Sequence, residues 1–177
     1  REKKLDSISL ETMSINPFLL PFIYHFHTCE NTKDLFNILV SSHLMIGHNT
    51  GFGKLIDEKI LPNVFNTQKL DSKFRNAHEP FKESCFDEID HIVFKNGKTE
   101  LISLKAGKWT IQLTMAVQLN HSFNEIIKFH SDKVDSIKVG IFYGSKSDLT
   151  DKYEILRGIN RGKNHDVVDL TQTVDVL

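Results

Sequence analysis

The chain has 177 residues, with 22 Lys and Arg against 23 Asp and Glu and a net charge of −1. That length holds one domain with a real core, and 40% hydrophobic against 25% charged residues is an ordinary globular balance. Near-neutrality excludes a globally basic nucleic-acid binder and leaves only locally clustered cations, such as Lys54, Lys59, Lys69, Lys73, Arg75 and Lys82.

Cys29 and Cys85 have no CxxC partners, which argues against a structural zinc site or a disulfide framework and for a reducing interior. No stretch is long and apolar enough to span a bilayer, and no basic, apolar, small-residue leader is visible. The chain starts without Met and ends on Val174–Leu177, so a fragment of a longer protein is expected.

Arg1–Leu10 is charged and reads as frayed. Asn16-Pro17 reads as an N-cap followed by a first-turn proline. The helix it opens carries Phe18, Leu19, Phe22, Ile23 and Phe26, which are expected in a core. Asn31 or Thr32 caps a second helix with Leu35, Ile38, Leu39 and Met45 on one stripe. Gly47–Gly53 reads as a turn-rich link whose spacing does not match a phosphate-binding loop. Phe52–Leu61 reads as a helix stopped before Pro62, carrying Lys54, Asp57, Glu58 and Lys59. Phe65–Ser84 is polar and irregular; its Lys73 and Arg75 are candidate phosphate contacts.

Cys85–Trp109 is the stretch around which the rest is organised. Two apolar runs flank Lys95-Asn96-Gly97-Lys98, and an Asn-Gly pair between such runs signals a two-residue hairpin. With Asn96 and Gly97 as the loop, Lys95 faces Lys98 and Phe94 faces Thr99. Counting back, Asp90 lies opposite Ser103, and Glu88 opposite Lys105. Alternation then puts Glu88, Asp90, Ser103 and Lys105 on one face and Ile89, His91, Val93, Ile102 and Leu104 on the other. Two acids beside a lysine are costly to bury unpartnered. A carboxylate binds a hard divalent cation through oxygen, the cation polarises a phosphate, and a lysine stabilises developing negative charge. A surface hairpin with a salt-bridged polar face is the plainer alternative.

Ile89-Asp90-His91-Ile92-Val93, a turn, and Leu101-Ile102-Ser103-Leu104-Lys105 resemble the core of the PD-(D/E)xK nuclease superfamily. Asp90 matches the family's Asp and Lys105 its Lys; Ser103 stands where Asp or Glu is usual. Gly47–Phe65 and the helix after Lys105 are similar to type II restriction endonucleases that cut GG-N-CC-type sites. The likeness covers roughly 47–145, the implied catalytic core, after a helical lead-in over 1–46. It implies an α/β (α+β) restriction-endonuclease-like core: a mixed β-sheet flanked by helices, within one nuclease domain.

The resemblance implies a site-specific endonuclease acting on double-stranded DNA. Mg2+, or Mn2+ in its place, would sit on Asp90, with the Ser103 hydroxyl holding a bound water. Lys105 would act at the scissile phosphate. Glu58 or Glu88 would replace the missing acid, although Glu88 opposite Lys105 favours an ion pair. Gln118 is the family-like candidate on the helix after Lys105, and Lys54, Lys73, Arg75 and Lys108 are the DNA contacts. A homodimer in a prokaryotic cytoplasm is implied as well. Two alternatives stand: an inactive DNA-binding module on the same fold, and an HNH-type nuclease using His91.

Beyond the hairpin, Trp109–Phe129 reads as a long helix with Ile111, Met115, Leu119, Ser122 and Ile126 on its apolar stripe and Asn120 on its polar side. Val134–Tyr143 reads as a buried strand, Ser147–Leu156 as a helix, Arg157–Asn164 as a basic loop and Val167–Leu177 as a strand or edge.

Overall fold

Asn96 and Gly97 take positive φ values of 54° and 73° and turn the chain between strands β2 (His91–Lys95) and β3 (Lys98–Lys105). This is the mirror-image turn that matches strand twist. The pairing runs Lys95 to Lys98, Phe94 to Thr99 and His91 to Ile102, in the expected register. We describe residues 15–107, 111–160 and 162–177 of a computed structural model. The expectations for Arg1–Leu10, Lys108 and Trp109 lie outside the described residues. The chain divides into two compact units, Arg1–Phe52 and Gly53–Leu177.

In the first unit, the Asn16 side chain accepts from the Phe18 N–H at 3.1 Å and caps a 3-10 turn, Pro17–Leu19, that leads into helix α1 (Leu20–Phe26). Asn31 caps helix α2 (Thr32–Leu55) by accepting from the N–H groups of Lys33 and Asp34 at 2.9 and 3.1 Å. Two expectations are corrected. Gly47–Gly53 is helical, because glycine permits a turn without requiring one and each costs a helix only about 1 kcal/mol. Phe18, Phe22 and Phe26 are 64–88% exposed instead of forming a core, since the buried cluster is drawn from residues 70–176.

The second unit is built on a five-stranded sheet in the order β1-β2-β3-β4-β5, with β1 (Gln68–Lys69), β4 (Ser136–Ile141) and β5 (Val174–Val176). β1, β2 and β3 pair antiparallel; β3, β4 and β5 pair parallel. The molecule is therefore mixed α/β with a mixed sheet. A parallel step from β3 to β4 needs a crossover. Helix α5 (Leu113–His130) supplies it; the earlier short helices α3 (Leu61–Val64) and α4 (Ser72–Ala77) precede the hairpin.

Leu101, Ser103, Ile137 and Val139 lie on one sheet face without solvent exposure, in the same core as Leu119, Phe123 and Ile126 of α5. Each such aliphatic side chain contributes about 1.5–3 kcal/mol by leaving water. Tyr153 and Leu156 of helix α6 (Asp151–Leu156) complete that layer.

The core stripe of α5 is Ala116, Leu119, Asn120, Phe123, Ile126 and His130, one step round from the expected one, so Met115 is 38% exposed. Asn120 is internal: its amide donates to the carbonyls of Leu156 (2.9 Å) and Val168 (2.8 Å), and its oxygen accepts from the Val168 N–H. That side chain ties the connection after α6 to α5. The helix expected to stop before Pro62 instead widens into a π segment, Ile56–Ile60, and continues as α3 to Val64. Proline at Pro62 cannot donate back along the helix, and a wider turn accommodates the lost bond.

Candidate active site

The approach to β2 is set by one arginine. Arg75, on the short helix α4 that Asp71 caps by accepting from Phe74 N–H at 2.8 Å, donates to the carbonyls of Leu70 and Ile89 at 2.8 Å. It also meets the Asp87 carboxylate at 2.8 Å and the Asp87 carbonyl at 3.3 Å. These bonds hold residues 87–89 off the strand path, and a 3-10 turn over Ser84–Phe86 buries Cys85 and Phe86. The strand therefore begins at His91, six residues later than the apolar run that opens at Cys85. Ile89 joins the core with Ile92 instead of sharing a face with His91. Arg75, expected at DNA, is spent inside the fold.

Asp90 is the junction of three strands. Its N–H donates to the Ile102 carbonyl at 2.9 Å and its carbonyl accepts from Leu70 N–H at 2.8 Å. One carboxylate oxygen accepts from the backbone N–H of Leu104 at 2.6 Å; the other has no hydrogen-bond partner among the described residues. Burial pushes the carboxyl above its ordinary range, and the Leu104 bond and the Lys105 charge offset this in part.

The Lys105 ammonium lies 3.3 Å from the Glu88 carboxylate, its side chain only 13% exposed against 40% for Glu88. Lys105 thus links two acids at one end of β2 and β3: it pairs with Glu88, and its charge acts on Asp90. Ser103 does not join them as a ligand. Its hydroxyl is fully buried on the core face and has no partner among the described residues, so it cannot reach a water bound at the surface.

The other sheet face carries a second polar chain. His91, fully buried, takes Asp57 on Nε2 at 2.7 Å and Thr67 on Nδ1 at 2.9 Å. Lys69 closes on the other Asp57 oxygen. Burial would raise the Asp57 carboxyl, but the hydrogen bonds from Lys69 and His91 outweigh it and hold it below the ordinary range. The Asp57 hydrogen bond in turn raises Lys69, against its own desolvation, with further help from Glu58 and Asp90.

Asp57, Glu58, Lys69 and Asp90 are therefore near neighbours. The π segment brings the first two there, with Asp57 turned inward and Glu58 exposed. His91 has both ring nitrogens engaged and none left to activate water. The sequence points to Glu58 with Asp57 as its neighbour, and to Lys69 only as one of the clustered cations; the signal for Asp57 is the charged run just before Pro62.

Of the expected DNA contacts, Lys54 and Lys73 are exposed, while Lys108 is outside the described residues. Gln118 is exposed on the outer side of α5, beside His121 and His165 and away from the core stripe. No helix among the described residues is long and apolar enough to cross a membrane. No protein-family model matches this chain, and no curated protein matches it.

Proposed function

We propose that the chain is a Mg2+-dependent, sequence-specific endonuclease of double-stranded DNA, on a core like that of type II restriction enzymes. The observation that carries this reading is the Asp90 carboxylate, one oxygen without a hydrogen-bond partner among the described residues, under the charge of Lys105, which itself pairs with Glu88. The order of elements supports it: an antiparallel meander, a crossover helix, then a parallel strand.

The donor set fits a hard cation. Mg2+ commonly takes one or two carboxylates and keeps several waters. Asp90 offers an oxygen on a carboxyl whose ionised form burial penalises, which a bound cation would relieve. The carboxylate whose charge acts on Asp90 is Asp57; Glu58 acts with Asp90 on Lys69, Glu88 pairs with Lys105, and Ser103 is left out. When bound, Mg2+ supplies Lewis acidity at phosphate and lowers the pKa of water. Asp90 holds the cation, with its carboxylate oriented by the Leu104 N–H. Lys105 brings a positive charge to developing negative charge on phosphate oxygen. Glu88 holds the Lys105 ammonium in place and yields it when an anionic backbone arrives. Lys54 and Lys73 carry phosphate contacts, and a homodimer would match a palindromic site.

The test is incubation with unmethylated plasmid DNA, with and without Mg2+ or Mn2+. A discrete fragment ladder that needs the cation supports the reading; intact DNA across a range of sequences rejects it. A binding module without cleavage is the second reading, favoured by the buried Ser103 in the place of an acid. Retarded but uncut DNA would establish it.

A further inference from the structure

Glu83, Cys85 and His130 form a group of three whose ligand atoms all lie within 4.8 Å of one another. The group stands apart from the Asp90 site and does not depend on the function proposed above. Local structure builds it. Glu83 is the residue before the 3-10 turn Ser84–Phe86, which turns Glu83 and Cys85 toward the last residue of α5, His130. The His130 ring rests against Phe86, centroids 5.3 Å apart, and Phe86 in turn packs on Phe81 at 5.2 Å. The ring therefore cannot swing away freely. Its Nε2 already faces the Glu83 carboxylate at 3.1 Å. Cys85 and His130 are buried, whereas the Glu83 side chain is 53% exposed, leaving an open side for entry.

We propose that Glu83, Cys85 and His130 bind one Zn2+ ion, with a water or exchangeable ligand in the fourth position. One sulfur, one imidazole nitrogen and one carboxylate oxygen are a donor set for zinc and not for Mg2+ or Ca2+. The ion takes the place of the His130 Nε2 proton that faces Glu83; that proton moves to Nδ1, so the imidazole itself releases none. A cysteine thiol is mostly protonated at neutral pH, and forming the S–Zn bond breaks the S–H bond and delivers one proton to the buffer. Bound there, zinc would pin the irregular segment before β2 to the end of the crossover helix. The CxxC spacing that the sequence lacks is not needed, because the ligands come from two elements joined only in the folded chain.

The test is Zn2+ titration of chelator-treated protein by calorimetry, in buffers of different ionisation enthalpy. One equivalent should bind with release of about one proton, and the melting temperature should rise with zinc. Co2+ in place of Zn2+ should give a thiolate charge-transfer band in the near ultraviolet. Glu83→Gln, an exposed change, should weaken zinc at least tenfold with the fold retained; Cys85→Ala should abolish the cobalt band. Asp90→Asn should leave zinc binding unchanged. No stoichiometric binding, a cobalt spectrum without the thiolate band, or unaltered affinity in Glu83→Gln would overturn the proposal. The cobalt spectrum of the unmutated protein decides the matter even where Cys85→Ala fails to fold.

Discussion

The backbone N–H of Leu104 donates to the Asp90 carboxylate at 2.6 Å, so the acid at the start of β2 is aimed by the strand that carries Lys105. Burial makes ionisation of Asp90 costly, and the folded chain holds that proton more tightly than the unfolded one. The stabilisation is fully present below the ordinary Asp value of 3.8 and is lost as pH rises through the raised folded value. Asn has no such proton. Asp90→Asn should therefore abolish Mg2+-dependent cleavage yet melt higher than the parent at neutral pH. Each kcal/mol would read as about 2–4 °C. The advantage should vanish near about pH 3. Melting curves across pH check this; equal melting temperatures at pH 7 would contradict it.

Lys105 and Glu88 separate chemistry from packing. Lys105→Ala should lower the cleavage rate by about 10²–10³, the usual loss for one electrostatic donor at a reacting centre. Glu88→Gln frees the ammonium and should change the rate by less than Lys105→Ala does. Ser103→Ala removes a buried hydroxyl with no partner among the described residues, so cleavage and stability should both stay close to those of the parent. Loss of cleavage in Ser103→Ala would return that side chain to the site.

Arg75 and Lys73 are neighbours in sequence with different expected phenotypes. Arg75→Lys cannot reproduce a fork that reaches three carbonyls and a carboxylate, and should cost about 2–3 kcal/mol of stability. Its DNA binding, measured on the folded fraction, should keep its salt dependence. Lys73→Ala should melt like the parent and reduce the slope of log affinity against log salt by about 1. Reversed results would place Arg75 at the nucleic acid.

Asp57 has the opposite sign from Asp90. Its folded pKa is depressed, so it stabilises above the ordinary Asp value and the contribution is lost as pH falls through the lowered one. Asp57→Ala leaves the buried His91 Nε2 without its partner and should cost about 1–3 kcal/mol at neutral pH, with a smaller difference in acid. Denaturant unfolding at two pH values measures it; no loss at neutral pH would mean His91 is satisfied by other means.

Local signals were read from sequence where their cause is local. The Asn96-Gly97 turn follows from two residues that tolerate positive φ, and it set the register that pairs His91 with Ile102 and so puts Asp90 and Lys105 toward the same end of β2 and β3. Asn16 and Asn31 were legible as caps because a cap bonds within three residues of itself. The apolar stripe of α5 was legible only to within one step, since 3.6-residue periodicity does not say which of two adjacent rows meets the sheet.

Residue type and order along the chain determined the hairpin, the caps, the crossover helix and the pairing of Glu88 with Lys105, because those depend on interactions across a few residues or on strict alternation. Tertiary structure alone decided that Arg75 and Asn120 are internal ties, that Ser103 is sealed in the core, that Asp57 reaches His91 across 34 positions, and that Glu83 and Cys85 meet His130. The reason is that a long polar side chain carries no local mark of its partner: whether it faces water or a distant carbonyl depends on where folding brings the other group.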